Sequence, residues 1–137
     1  MNIVLCISET LKEFKESLVD AVCEVQLKKG LEEISWEQMS SITIAYEPVW
    51  AIGTGKVATP EIAQSVHKSI CGILEKMYNS SVTDSIRIWY GDSLSANSID
   101  GLLAQPDVDS GLVGGASLDS SSFGRIINFE GADVLVV

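Results

Sequence analysis

A carboxylate, Glu47, follows the apolar run "ITIAY" at 42–46 and opens the segment "EPVWAIGTG", which carries Pro48, Trp50, Gly53 and Gly55. At the end of a strand such a carboxylate can act as a general base, provided that water is excluded and its pKa lies near the working pH. Pro48 stiffens the start of the loop, and Gly53 and Gly55 allow close backbone approaches, so residues 48–58 read as a lid with an anion-facing tip. Two other stretches have related chemistry. "YGDS" at 90–93 offers the Ser93 hydroxyl, and "LVGGASL" at 112–118 offers the backbone N–H groups of Gly114 and Gly115, a nest of the kind that favours phosphate. Taken singly, Glu47 reads as a solvated or capping carboxylate, Gly114 and Gly115 as a tight turn, and Trp50 as a loop anchor. Convergence on one face of the molecule would change that reading.

The elements that must position these residues follow from apolar patterning. Continuous apolar runs at 2–7, 42–46, 86–90 and 111–115 predict four strands, the first of them buried on both faces. Phe14, Leu18, Val22 and Val25 recur at helical spacing, which predicts one amphipathic helix over 11–30 ending at Gly30. Thr59 can cap the next helix, with Pro60 at its first position and Ile62, Val66, Ile70, Ile73, Leu74 and Met77 on the buried face. Shorter helices are predicted around 96–104 and in "SSFGRIINF", with Phe123, Ile126 and Ile127 inward. The tail "GADVLVV" is left unassigned.

This β-α-β-α-β-α-β-α order, uninterrupted by a linker, predicts a single α/β domain over 1–137 with parallel strands and right-handed crossovers. In such a sheet the loops after the strands lie at one end, where both open sheets and closed barrels put their ligands. His67, the only histidine, lies within a helix well past the lid and reads as non-catalytic, and Cys6 reads as strand packing.

The 137 residues carry a formal net charge of -10, with 9 Lys plus Arg against 19 Asp plus Glu and no basic cluster. Nucleic acid and anionic membrane surfaces are therefore not the expected partners. Three cysteines, Cys6, Cys23 and Cys71, lack CxxC spacing and suggest neither a disulfide framework nor a zinc site. No apolar stretch approaches a membrane span and no cleavable leader is evident, so the expected location is cytoplasmic.

"AYEPVWAIGTG" at 45–55, with "KVATP" at 56–60, "CISE" at 6–9, "YGDS" at 90–93, "QPDVDSGLVGGASL" at 105–118 and "IIN" at 126–128, resembles the triosephosphate isomerase family. The resemblance runs from about residue 2 to 128 and covers the second half of that family's (β/α)8 barrel, from its fifth strand onward. It implies about four C-terminal βα units of a TIM barrel that interconverts dihydroxyacetone phosphate and glyceraldehyde 3-phosphate, in glycolysis and gluconeogenesis, without a cofactor. Glu47 would be the base. Gly53, Ser93, Gly114 and Gly115 would hold the phosphate, and Glu9 and Trp50 would be the pair that meets when the lid closes, with Pro48 to Trp50 and Lys56 to Ala58 as hinges.

The chain departs from the family pattern in three respects. Asp92 stands where the family has a second glycine, Ser8 replaces a glycine beside Glu9, and the family's lysine, asparagine and histidine have no counterpart here. Each such electrostatic group is worth on the order of 10²–10³ in rate. The chain alone is thus expected to be inactive or very weak, and to need a homodimer or the missing N-terminal half. The alternative is a catalytically silent phosphate-binding or assembly module.

Overall fold

The computed structural model describes residues 1–51 and 58–130. Four strands, β1 (Ile3–Ile7), β2 (Ile42–Tyr46), β3 (Arg87–Gly91) and β4 (Ser110–Leu112), form one sheet in chain order, every neighbour parallel. The six α-helices among the described residues are α1 (Leu11–Lys15), α2 (Val19–Gly30), α3 (Pro60–Met77), α4 (Ser80–Ser85), α5 (Ile99–Leu103) and α6 (Ser120–Ile127). This is an α/β fold whose sequential parallel sheet fits part of a barrel.

The register aligns Leu5, Ile44 and Ile88 in one row and Ile7, Tyr46, Tyr90 and Gly111 in the next row on the same side. That side packs with Cys23 and Leu27 of α2 and with Val66, Ile70 and Leu74 of α3 to make the core. The opposite side carries Val4, Cys6 and Arg87 and is more open, with Val4 43% exposed. The expectation that β1 is buried on both faces is therefore corrected: among the described residues one face lacks a covering layer and β1 is also an edge strand.

The predicted helix over 11–30 is two helices. Ser17 takes a left-handed conformation (φ 58°), which breaks the first after Lys15 and re-phases the second. Cys23 and Leu27 consequently face the core, whereas Leu18 and Val25 are exposed. The helix beginning at Pro60 forms as expected, capped by Thr59 Oγ1, which accepts from the Ile62 N–H at 3.3 Å. Helix α4 is absent from the sequence reading. Its polar segment buries only Val82 and starts from Asn79, whose side chain accepts from the Val82 N–H at 3.0 Å.

Strand β4 ends at Leu112, two residues before the glycine pair, and residues Gly115–Leu118 wind into a 3-10 turn. Helix α6 buries Ile126 but exposes Ile127. Its Arg125 pairs with Asp100 of α5, and Asp100 also accepts from the Glu130 N–H at 2.7 Å. This tie fixes α6, and hence the turn that precedes it, to the sheet. The tail at 131–137 lies outside the described residues.

Candidate active site

Glu47 follows directly on β2, and its N–H donates to the Ile7 carbonyl at 2.9 Å, continuing the β1–β2 ladder one step beyond the strand. The backbone at this residue is thus held by the sheet. Its half-buried side chain lies across Gly91 at the end of β3, where an added Cβ would sit 2.6 Å from Glu47 Cγ. Only a glycine leaves that path open. The Cys6 thiol donates to Glu47 Oε1 at 3.2 Å. Burial above all, followed by the bond to Glu47 and its charge, pushes that thiol up to about 11, so near neutrality it remains a donor.

The segment that follows Glu47 is pinned by Ser8, the residue after β1. Ser8 Oγ donates to the Glu47 carbonyl and accepts from the Val49 N–H at 3.1 Å. Ser8 is itself clamped to α2: its N–H donates to Gln26 Oε1 at 2.8 Å, and Gln26 Nε2 donates to its carbonyl at 2.7 Å. The serine that stands in place of the family's glycine therefore ties three segments together.

Glu9 is fully buried. Its Oε1 accepts from the Tyr46 hydroxyl at 2.9 Å and from Trp50 Nε1 at 2.7 Å, so the expected Glu9–Trp50 contact is present. Phe14 of α1 adds an aromatic contact to Trp50 with ring centroids 4.5 Å apart. Burial first, then Glu9, raises the Tyr46 hydroxyl far above its ordinary value and keeps it a donor.

Glu47, Gly91, Asp92, Ser93, Gly114 and Gly115 line a single cavity of about 560 Å³, together with Leu94, Ser95 and residues 112, 113 and 116. Four of the five proposed site residues, Glu47, Ser93, Gly114 and Gly115, are thereby brought to one place; Gly53 lies outside the described residues. The Ser93 hydroxyl donates to the Ala51 carbonyl at 3.4 Å, reaching toward the segment that follows Glu47. A Cβ built at Gly114 or Gly115 meets nothing within 4 Å, so the fold leaves open space over both. Asp92 enters the same wall, and its Oδ2 accepts from the Tyr90 hydroxyl at 3.1 Å.

His67 is absent from this cavity. It is buried on α3 against the rings of Tyr46 and Tyr90, and its Nδ1 lies 3.0 Å from the Asp107 carbonyl. Burial lowers its pKa, with the Asp107 bond acting the other way, and the ring is neutral near pH 7. Cys6 was the residue the sequence reading misjudged. Period-2 alternation opposite Ile7 puts it on the open face, and the register beside Ala45 brings it within reach of the residue that follows β2 by one step.

Sequential parallel βα units, helices packed on one face and a cavity beyond the strands' C-terminal ends make an α/β fold consistent with part of a TIM barrel. The chain belongs to the triosephosphate isomerase family, whose model matches residues 1–130. It is 45% identical over 127 residues to the triosephosphate isomerase of Chloroherpeton thalassium, covering 93% of this chain and 50% of that protein. The enzyme of Carboxydothermus hydrogenoformans is 47% identical over 127 residues (93% and 51%), and that of Geotalea uraniireducens 46% over 130 (95% and 52%). The chain thus spans about half the length of the curated relatives it matches. No helix among the described residues is long and apolar enough to cross a membrane.

Proposed function

We propose that this chain supplies the C-terminal half of a triosephosphate isomerase barrel, from the fifth strand onward, and that the completed barrel interconverts dihydroxyacetone phosphate and glyceraldehyde 3-phosphate. The single observation that carries the reading is the shared cavity in which Glu47 lies beside Gly114 and Gly115. In it Glu47 removes a proton from one carbon of the triose and returns it to the neighbouring carbon. The N–H groups of Gly53, Gly114 and Gly115, with Ser93, hold the phosphate, and lid closure excludes water. The assignment to the second half rests on the order of the motifs, with the base segment on the second of four strands and the glycine pair after the fourth.

The barrel is completed by the other half in trans or by a second copy, in the cytoplasm. The cavity contains Glu47 and Asp92 but, among its described lining residues, no lysine or histidine to polarise a carbonyl. That observation supports the view that the chain alone is inactive or very weak, and it is also what favours the second reading, a silent phosphate-binding or assembly module.

The test is complementation. The chain is mixed with the N-terminal half, or separately the C-terminal half, of a relative such as that of Carboxydothermus hydrogenoformans, and isomerase activity is assayed. Activity with the N-terminal half alone is expected, and Glu47→Gln in that assembly lowers kcat on the order of 10²–10⁴-fold. Activity restored by the C-terminal half would place this chain in the other half of the barrel. Assembly that binds a triose-phosphate analogue without turnover would establish the silent module.

A further inference from the structure

A cavity whose glycine amides suit a phosphate dianion has a carboxylate in its wall. Asp92 stands between Gly91, against which Glu47 rests, and Ser93, and it lines the cavity together with Glu47, Gly114 and Gly115. Its backbone carbonyl closes the turn by accepting from the Leu94 N–H, but its carboxyl caps nothing in that turn. Among the described residues the carboxyl has one hydrogen bond, from the Tyr90 hydroxyl to Oδ2 at 3.1 Å. Oδ1 is shielded from solvent and has no partner among the described residues.

The ionisable groups around Asp92 deepen the anomaly. Tyr90 faces it from β3 and is fully buried, and Glu47 faces the same cavity from the end of β2. Glu9, at the end of β1, adds its field to Tyr90. The turn after β4 brings residues 112–116, none of them ionisable, and no lysine, arginine or histidine is among the described lining residues. Burial first, then Asp92, drives the Tyr90 hydroxyl well above its ordinary value, against a backbone hydrogen bond from Ala58, so it can only donate to Asp92 near neutrality.

We propose that Asp92 makes anion binding in this cavity proton-coupled: the phosphate dianion enters together with one proton, which the Asp92 carboxyl takes up from solvent. The inference rests on the phosphate-site reading above. Oδ2 remains the acceptor for Tyr90 in either protonation state, and the unpartnered Oδ1 is the oxygen free to carry the proton. Once protonated, Asp92 no longer repels the dianion and becomes a hydrogen-bond donor in the wall that holds it. A buried carboxylate oxygen without a partner is costly, whereas a carboxylic acid meeting an anion is satisfied on both oxygens. Asp92 thus sets which charge state of ligand and pocket are compatible, a role the glycine of the family pattern cannot perform.

Linkage fixes the sign. Binding that takes up a proton weakens as pH rises, by about tenfold per pH unit while a whole proton is transferred. Sulfate is the suitable probe because it remains a dianion over the range in which phosphate itself titrates. The full chain, carrying Glu47→Gln to leave Asp92 as the one carboxyl among the described cavity residues, is titrated with sulfate from about pH 5 to pH 8 while the Gly114 and Gly115 amide resonances are followed. With Asp92 present, affinity is expected to fall steeply with pH. In Asp92→Asn, a neutral side chain that still accepts from Tyr90 and donates elsewhere, affinity is expected to stay within about twofold across the same range and to exceed that of the Asp92 form at the alkaline end. Asp92→Gly, a change toward the family residue, is expected to lose the pH dependence as well. Parallel pH profiles for the Asp92 form and the Asp92→Asn variant, with sulfate bound in both, overturn the proposal and leave the anion site standing. Absence of sulfate binding in every variant at every pH overturns the anion site as well.

Discussion

Glu47 is positioned by contacts that differ in kind. The sheet ladder fixes its backbone through Ile7, Gly91 leaves room for its side chain, and the Cys6 thiol donates to one carboxylate oxygen. Gly91→Ala is the most direct test of this placement, since the new Cβ would meet Glu47 Cγ at 2.6 Å. In the complemented enzyme kcat is expected to fall on the order of 10²-fold with KM nearly unchanged, as for a reacting group displaced by about an ångström. A kcat at the parent value would show that Glu47 has slack the close contact denies. At this scale the sequence was a good guide wherever residue type contradicted its surroundings: a glutamate ending an apolar strand was visible at once. Cys6 was not, because a cysteine within an apolar run has the same appearance whether it packs or donates. Its role appears only when the parallel register sets β1 beside β2.

The helices show where periodicity failed and why. Leu18 and Val25 fitted the pattern of one long helix, yet the left-handed Ser17 rotates the second segment so that Cys23 and Leu27 take the core positions. Gln26 then falls beside Ser8 and clamps the residue that binds Glu47 and Val49. In α3 the pattern was sufficient for the apolar core positions, and the structure adds His67 to the buried face beside Val66. His67 gives this element a pH signature. Its folded pKa is lowered below the ordinary 6.5 by burial, so its contribution to stability is present above that value and is lost as pH falls toward the folded pKa. The denaturation midpoint of the chain is expected to drop between pH 6.5 and about 5, above the carboxylate range. His67→Gln is expected to flatten that limb, and an unchanged slope would assign the acid sensitivity to other groups. A second check on α3 is its cap: Thr59→Ala removes the acceptor for the Ile62 N–H and is expected to cost about 1 kcal/mol of stability in denaturant titration.

Among the described residues the sheet has two open edges, β1 and β4, and β1 leaves Val4 on its more open face and Ile3 on its core-side face each 43% exposed. Unpaired strand edges beside exposed apolar side chains favour pairing with another chain. The isolated chain is expected to elute above monomer size at micromolar concentration, and the added N-terminal half is expected to convert it to a discrete assembly. A cooperatively unfolding monomer at that concentration would show that these edges are self-sufficient. The amino-acid sequence by itself determined four strands in order with helical segments after each, the family, and the residues that break local pattern, because apolar periodicity, caps and glycine loops are encoded within a few consecutive positions. Tertiary structure alone decided that the Glu47 carboxylate lies against Gly91 and the Cys6 thiol, that Ser8 and Gln26 hold the segment that follows Glu47, and that Asp92 shares a cavity with Gly114 and Gly115. Those contacts join residues tens of positions apart, and their geometry comes from the parallel register that no local pattern specifies.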